Sequence, residues 1–178
     1  MSPGPDPTPS AGSIDDPDEV DAIVEAWHRE RPDVDVTPMQ VLSRVSRLAR
    51  HVDSVRKAAF AAHGLESWEF DVLAALRRSG EPYALSPGRL VAQTHVTSGT
   101  MTNRVDRLAT RGLVERQPDP GDRRGVLVQL TGPGREQVDG AIAELMRSEA
   151  SLLEDLSVAE AEALATALRT LMRPFHTP

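Results

Sequence analysis

The chain reads as a mainly α fold with a small β wing, and three observations lead there. Apolar residues recur at i, i+3, i+4 and i+7 through most of its 178 residues, the spacing of amphipathic helices. Between residues 86 and 112 two short helix signals flank a tight break. After Gly112 the period drops from 3.6 to 2 in two runs joined by turn residues, with Arg123 and Arg124 at the tip. In that order these are the parts of a winged helix-turn-helix, expected over residues 65–131 and dimerised through N- and C-terminal helices on either side.

The opening residues 1–15 carry Pro3, Pro5, Pro7 and Pro9 among Gly, Ser and Asp. They have too little apolar surface to offset ordering entropy, so a disordered tail is expected. An extra amphipathic helix follows over residues 16–31, with Asp16 read as cap, Pro17 at the first position and Glu19 completing the start signal. Val20, Ile23, Val24 and Trp27 form its apolar face, and Pro32 ends it. A scaffold and dimerisation helix is expected over residues 37–64, opened by Thr37, Pro38 and Gln40. Val41, Leu42, Val45, Leu48, Ala49, Val52 and Val55 are expected to line its buried face, and Gly64 to close it. Ser67 starts the next helix, which turns Phe70, Leu73, Ala74 and Leu76 inward.

Ser86 as cap and Pro87 at the first helical position begin a short helix, because proline's missing donor costs nothing there. Thr94 to Val96 breaks it, Thr97 or Ser98 caps a second helix, and Gly112 supplies its left-handed stop. Met101, Val105 and Leu108 give that second helix one buried stripe. Its other face carries Ser98, Thr100, Thr102, Asn103, Arg104 and Arg107. Short hydroxyl and amide groups can approach base edges and phosphates, and arginine can contact guanine bidentately, so the face suits a DNA major groove. Leu113 to Gln117 and Val126 to Leu130 make the wing, whose arginine tip suits a narrow minor groove. An Arg-Arg pair by itself reads more readily as a solvated loop; its place after a helix-turn-helix makes it specific. Thr131 then opens a helix to about Leu153, and a Ser157 to Glu160 capping box opens a last one to about Met172. Their Ile142, Leu145, Met146, Leu152, Leu164, Leu168 and Leu171 exceed what one helix pair needs for a monomer core. Residues 132–178 are therefore expected to dimerise.

Composition limits the function classes. The chain contains no cysteine, which removes disulfides, thiolate zinc sites and thiol redox sensing. No window approaches the ~18 apolar residues that cross a bilayer, and the N-terminus lacks a signal peptide's basic and apolar regions, so a cytoplasmic protein with no membrane partner is expected. His51 and His63 have no metal-ligand spacing, and neither a metal nor a cofactor is expected. The motifs GxSxG, HExxH and GxxxxGK[ST] are absent, so no enzyme is expected. The net charge of -7 is uneven: residues 1–36 hold ten acids and two arginines. Residues 89–124 hold seven arginines against four acids, and this local field governs phosphate attraction.

Ser86 through Thr131, above all GLVERQPDPGDRRGVLVQLT, resembles the MarR family of bacterial transcriptional regulators, a likeness that extends over roughly residues 38–173. The resemblance implies a homodimer that grips a pseudo-palindromic double-stranded DNA operator and acts as a repressor. It also implies that Asp122 braces the wing while Arg124 reaches DNA. The added helix with Trp27 is similar to the urate-responsive branch of that family. Carried over, this likeness implies an effector site of Trp27, Asp71 and Arg116, with Arg78 a further charge and Arg104 linking it to the recognition helix. Urate is flat and anionic, so an aromatic face and a guanidinium fork suit it. An anion between Arg116 and Asp71 would replace an attractive pair with one attraction and one repulsion. Plainer readings stand beside this one: Trp27 as packing anchor, Asp71 and Arg116 as a structural salt bridge, Arg78 as complement to a helix dipole. Another phenolic or purine effector, or a constitutive DNA-binding protein without effector, also fits the sequence.

Overall fold

The computed structural model describes residues 16–122 and 124–175. The expected tail at 1–15 and Arg123 lie outside them. Two compact units divide at His51 and Val52.

In the first unit, α1 (Glu19–Glu30) is capped by Asp18, not Asp16. The start moves because a reciprocal pair is available two residues on: Asp18 Oδ1 accepts from the Val20 and Asp21 amides, and Asp21 accepts from the Asp18 amide at 2.9 Å. Val20 and Val24 are buried with Val36, and Met39 packs against them. The helix α2 (Met39–Ala61) begins here. Its Arg44 bridges Asp18 at 2.8 Å and Asp21 at 2.9 Å, and Arg47 meets Glu19 at 3.1 Å. Val41, Leu42, Val45 and Leu48, expected on a buried face, are instead exposed, Leu42 at 55%. They are apolar by sequence, but within one protomer they are covered only in part.

The second unit takes in the rest of α2, whose Ala59 and Phe60 are buried while Val52 and Val55 are half-buried. It continues with α3 (Ser67–Arg78), β1 (Ala84–Leu85), α4 (Pro87–Thr94), α5 (Ser98–Thr110), β2 (Val114–Pro118), β3 (Val126–Leu130), α6 (Gly132–Ser151) and α7 (Val158–Met172), then a 3-10 turn at Arg173–Phe175. Phe70, Leu73, Ala74 and Leu76 of α3 are buried, as their spacing requires. They join Leu90, Met101, Val105 and Leu108 of the helix-turn-helix and Val138, Ala141 and Leu145 of α6 in one core. Phe60 and Phe70 stack there at 4.0 Å.

The sheet is antiparallel in the order β1-β3-β2. Its edge strand β1 has no counterpart in the sequence pattern, because two residues are too few for a periodic signal. Ser86 and Thr97 cap α4 and α5 as their sequence context predicts, and Gly112 stops α5 at φ +71. The wing closes on α6 through Thr131, whose hydroxyl donates to Gly112 O at 2.7 Å and accepts from the Gly134 amide at 3.1 Å. The final helix α7 opens with the Ser157–Glu160 box, yet none of its residues is buried. No helix among the described residues is long and apolar enough to cross a membrane.

Candidate nucleic-acid interface

The reading face of α5 is open. Met101, Val105 and Leu108 are spent in the core, which leaves Ser98, Thr100, Thr102, Asn103 and Arg107 exposed and Arg104 half-buried on the other side. Thr97 and Thr100 join hydroxyls at 2.9 Å, and Thr102 donates to Ser98 O at 3.1 Å. Asn103 keeps its amide free for an outside partner, since its side chain makes no hydrogen bond among the described residues.

At the wing, the Asp122 carboxylate accepts from the Arg124 amide at 2.9 Å, and Gly125 donates to Asp122 O at 2.8 Å. Asp119 accepts from the Gly121 amide at 2.8 Å. Two carboxylates thus hold the loop by its backbone and leave Arg124 exposed. Arg116 of β2 pairs with Asp106 of α5 at 2.7 Å. The family resemblance pairs it with Asp71; β2 instead returns alongside α5, so wing and recognition helix are joined to each other.

Two groups at the start of α3 have no signal in the sequence. The Trp68 ring lies under both Arg107, at 4.6 Å, and Arg104, at 5.5 Å. Glu66 accepts from Trp68 Nε1 at 2.7 Å and from Arg107 Nη2 at 3.0 Å. Next to them Glu69, only 2% exposed, pairs with Arg111, which also donates to Gly64 O at 2.8 Å. Spacing within one helix could not have revealed the bonds to Arg107 and Arg111, which cross 41 to 47 positions of chain.

A cleft of about 260 Å³ lies between the end of α2, α3 and α6. Phe70, Ala74, Val138, Ile142, Leu145 and Met146 line it, with Arg56, Arg77 and Arg78 at its polar side. Arg56 is paired with Glu149 at 3.3 Å. Arg77 is paired with Asp139 at 2.7 Å, which holds its pKa above the ordinary arginine value. Arg78 has no ion pair among the described residues, and Asp71, exposed, stands on the same side of α3 seven positions earlier. Trp27 belongs to the first unit, where it is 46% exposed and lies beside Ile23, Ala26 and Glu30.

A capped helix-turn-helix with an exposed polar reading face, followed by a two-stranded wing with a basic tip, defines a winged-helix DNA-binding protein. The MarR family model matches residues 63–125. The chain is 40% identical over 86% of its length to the HTH-type transcriptional regulator PecS of Dickeya dadantii, covering 90% of that protein. It is 33% identical to the transcriptional repressor NicR of Pseudomonas putida, over 78% of this chain and 89% of that one. A solved structure of BpsR from Bordetella bronchiseptica, described with the regulation of its DNA binding by 6-hydroxynicotinic acid, superposes with a TM-score of 0.54. It is 32% identical, over 72% of this chain and 98% of that one. The chain belongs to the MarR family of transcriptional regulators. Its relatives are regulators, not enzymes, in agreement with the missing catalytic motifs.

Proposed function

We propose that this protein is a homodimeric repressor that binds a pseudo-palindromic operator and leaves it when a small planar anion of the urate type is bound. The observation that carries the DNA half is the open face of α5 beside an Arg124 that the wing holds clear of the protein. Ser98, Thr100, Thr102, Asn103, Arg104 and Arg107 meet the base edges and flanking phosphates of the major groove, and Arg123 and Arg124 serve the minor groove. Half-sites are then about one helical turn, ~10 base pairs, apart.

Dimerisation is supported by α7 and the first half of α2. A 15-residue helix with no buried residue, bearing Leu164, Leu168 and Leu171, leaves an apolar surface that a second copy would cover. The effector half rests on Arg78, a guanidinium without an ion pair among the described residues, at an apolar cleft near the small end of ligand-pocket sizes, roughly 300–1,000 Å³. A planar anion there meets aliphatic and aromatic walls and the Arg78 cation, with Asp71 on the same side of α3. The family likeness adds Trp27, Arg104 and Arg116 to the proposed set, although none of the three lines this cleft. Arg116 holds Asp106 on the recognition helix, so an anion that drew it away would loosen wing and helix together. A ligand must favour the DNA-incompetent state by ~1 to 3 kcal/mol to shift occupancy appreciably. The regulation of BpsR by 6-hydroxynicotinic acid favours a heteroaromatic anion as the class.

Sedimentation of the purified protein and gel-shift titration on duplexes from beside its own coding region test this reading. A dimer that retards such a duplex and is released by urate is expected. A monomer that retards none of them refutes the DNA half. A dimer released only by a different phenol or purine refutes urate alone, and a dimer released by no ligand refutes the effector half.

A further inference from the structure

Glu66 bears on the energetics of the interface itself, given the DNA-binding reading proposed above. Arg107 stands on the face that would meet DNA, yet in the free protein it already has an anion: its Nη2 donates to Glu66 Oε1 at 3.0 Å. The same carboxylate is oriented from its other oxygen by Trp68 Nε1 at 2.7 Å. The Trp68 ring then supports the Arg107 guanidinium at 4.6 Å, with Arg104 over the same ring at 5.5 Å. Both members of the ion pair are more than half exposed, so the bond is cheap to exchange for one with another anion. We infer that Glu66 is a built-in competitor for the operator phosphate, holding Arg107 on the Trp68 platform until DNA replaces its carboxylate.

The chemistry follows from charge. A guanidinium over an aromatic face is attracted to the ring and keeps its in-plane N–H groups for an anion. Glu66 uses those groups in the free protein, and a phosphate has to take them over. After the exchange Glu66 is left as an unpaired negative charge beside the DNA backbone. It therefore lowers affinity twice, once through the bond given up and once through repulsion. Glu66 is a positioning residue, since it acts through Arg107.

Operator binding by wild-type protein and by Glu66→Gln is measured by fluorescence anisotropy across a salt series. Glutamine still accepts from Trp68 Nε1 but carries no charge. The expected result is binding about two- to fivefold tighter for each protomer, the equilibrium worth of an exposed ion pair. The slope of log K against log salt should steepen by up to about 0.9 for each protomer. Arg107→Gln should weaken binding, and adding Glu66→Gln to it should give a clearly smaller gain than in the wild-type background, since only the repulsion is then left to relieve. Trp68→Phe keeps the ring but frees the carboxylate's second oxygen, and should raise affinity by less than Glu66→Gln. If the wild type binds no operator, the DNA-binding reading itself fails. If it binds and Glu66→Gln, folded by circular dichroism, shows the same affinity and slope, the inference is refuted. An equal gain in the Arg107→Gln background also refutes it, because the effect would then be unspecific removal of charge.

Discussion

Gly134→Ala should destabilise the protein although it replaces glycine inside a helix. In an unconstrained helix interior the change stabilises by about 1 kcal/mol, because alanine loses less backbone entropy on folding. Here a Cβ would stand 2.0 Å from the carbonyl oxygen of Leu113, 2.9 Å from its carbon and 3.0 Å from Leu130 Cδ1. Ordinary contact begins near 3.4 Å, so the first turn of α6 would have to retreat by roughly 1.4 Å. The obstacle is backbone: Leu113 O accepts from the Thr131 amide at 3.1 Å and cannot rotate away. Overpacking of this kind costs ~1–3 kcal/mol, and a rigid backbone obstacle puts it at the upper end. Less the gain in propensity, about 2 kcal/mol of destabilisation remains, a fall in Tm of about 4–8 °C for a chain of this size. Urea and thermal unfolding at one fixed protomer concentration measure it, since association shifts both midpoints. Gly88→Ala, whose Cβ meets nothing within 4 Å, is the control and should be neutral or stabilising. A Gly134→Ala midpoint at or above wild type would show that the closure of wing on α6 is not the constraint described.

Other outcomes can be checked separately. Thr131→Ala removes both a helix cap and the bond to Gly112 O, and should lower stability by about 1–2 kcal/mol in urea unfolding. Arg124→Ala should weaken operator binding and flatten its salt dependence by about 0.9 in log-log slope for each phosphate the wing no longer neutralises; equal binding at every salt concentration would count against a role for the wing in DNA binding. The Asp18 carboxyl is held below its ordinary 3.8, first by its hydrogen bond to Arg44, opposed by desolvation and helped by the Asp21 and Val20 amides. Its contribution to the α1 cap is therefore complete above pH 3.8 and fades as pH falls through the lower native value. Carboxyl NMR should show this titration, and Arg44→Gln should move it back up. Trp27→Ala and Asp71→Ala should blunt release by urate while operator affinity holds; a normal response in both would remove them from the effector site.

Local chemistry made much of the fold legible in the sequence. Ser86, Thr97, Thr131 and Ser157 are caps because their side chains bond amides three residues away, within reach of any sequence pattern. Met101, Val105 and Leu108 are buried because a helix of period 3.6 puts them on one stripe. The shift at α1 from Asp16 to Asp18 shows the limit, since several acids close together each offer a cap and the reciprocal Asp21 bond decides. The candidate site was legible where it lies on one element, as on the reading face of α5. It was not where partners come from distant segments, as with Glu66 and Trp68 beneath Arg107.

Residue order alone determined the class of this protein: the succession of helix, break, polar helix and arginine-tipped hairpin depends on nearest-neighbour geometry, which the backbone enforces locally. Only the tertiary structure decided which charges face each other. It joined Arg116 to Asp106, put Arg107 on Glu66 and left Arg78 without an ion pair among the described residues, because ion pairing depends on distances that chain closure sets across tens of residues. It also showed that the apolar face of α2's first half and the whole of α7 stay open in one protomer, since an amphipathic pattern states that a face must be covered but not by what.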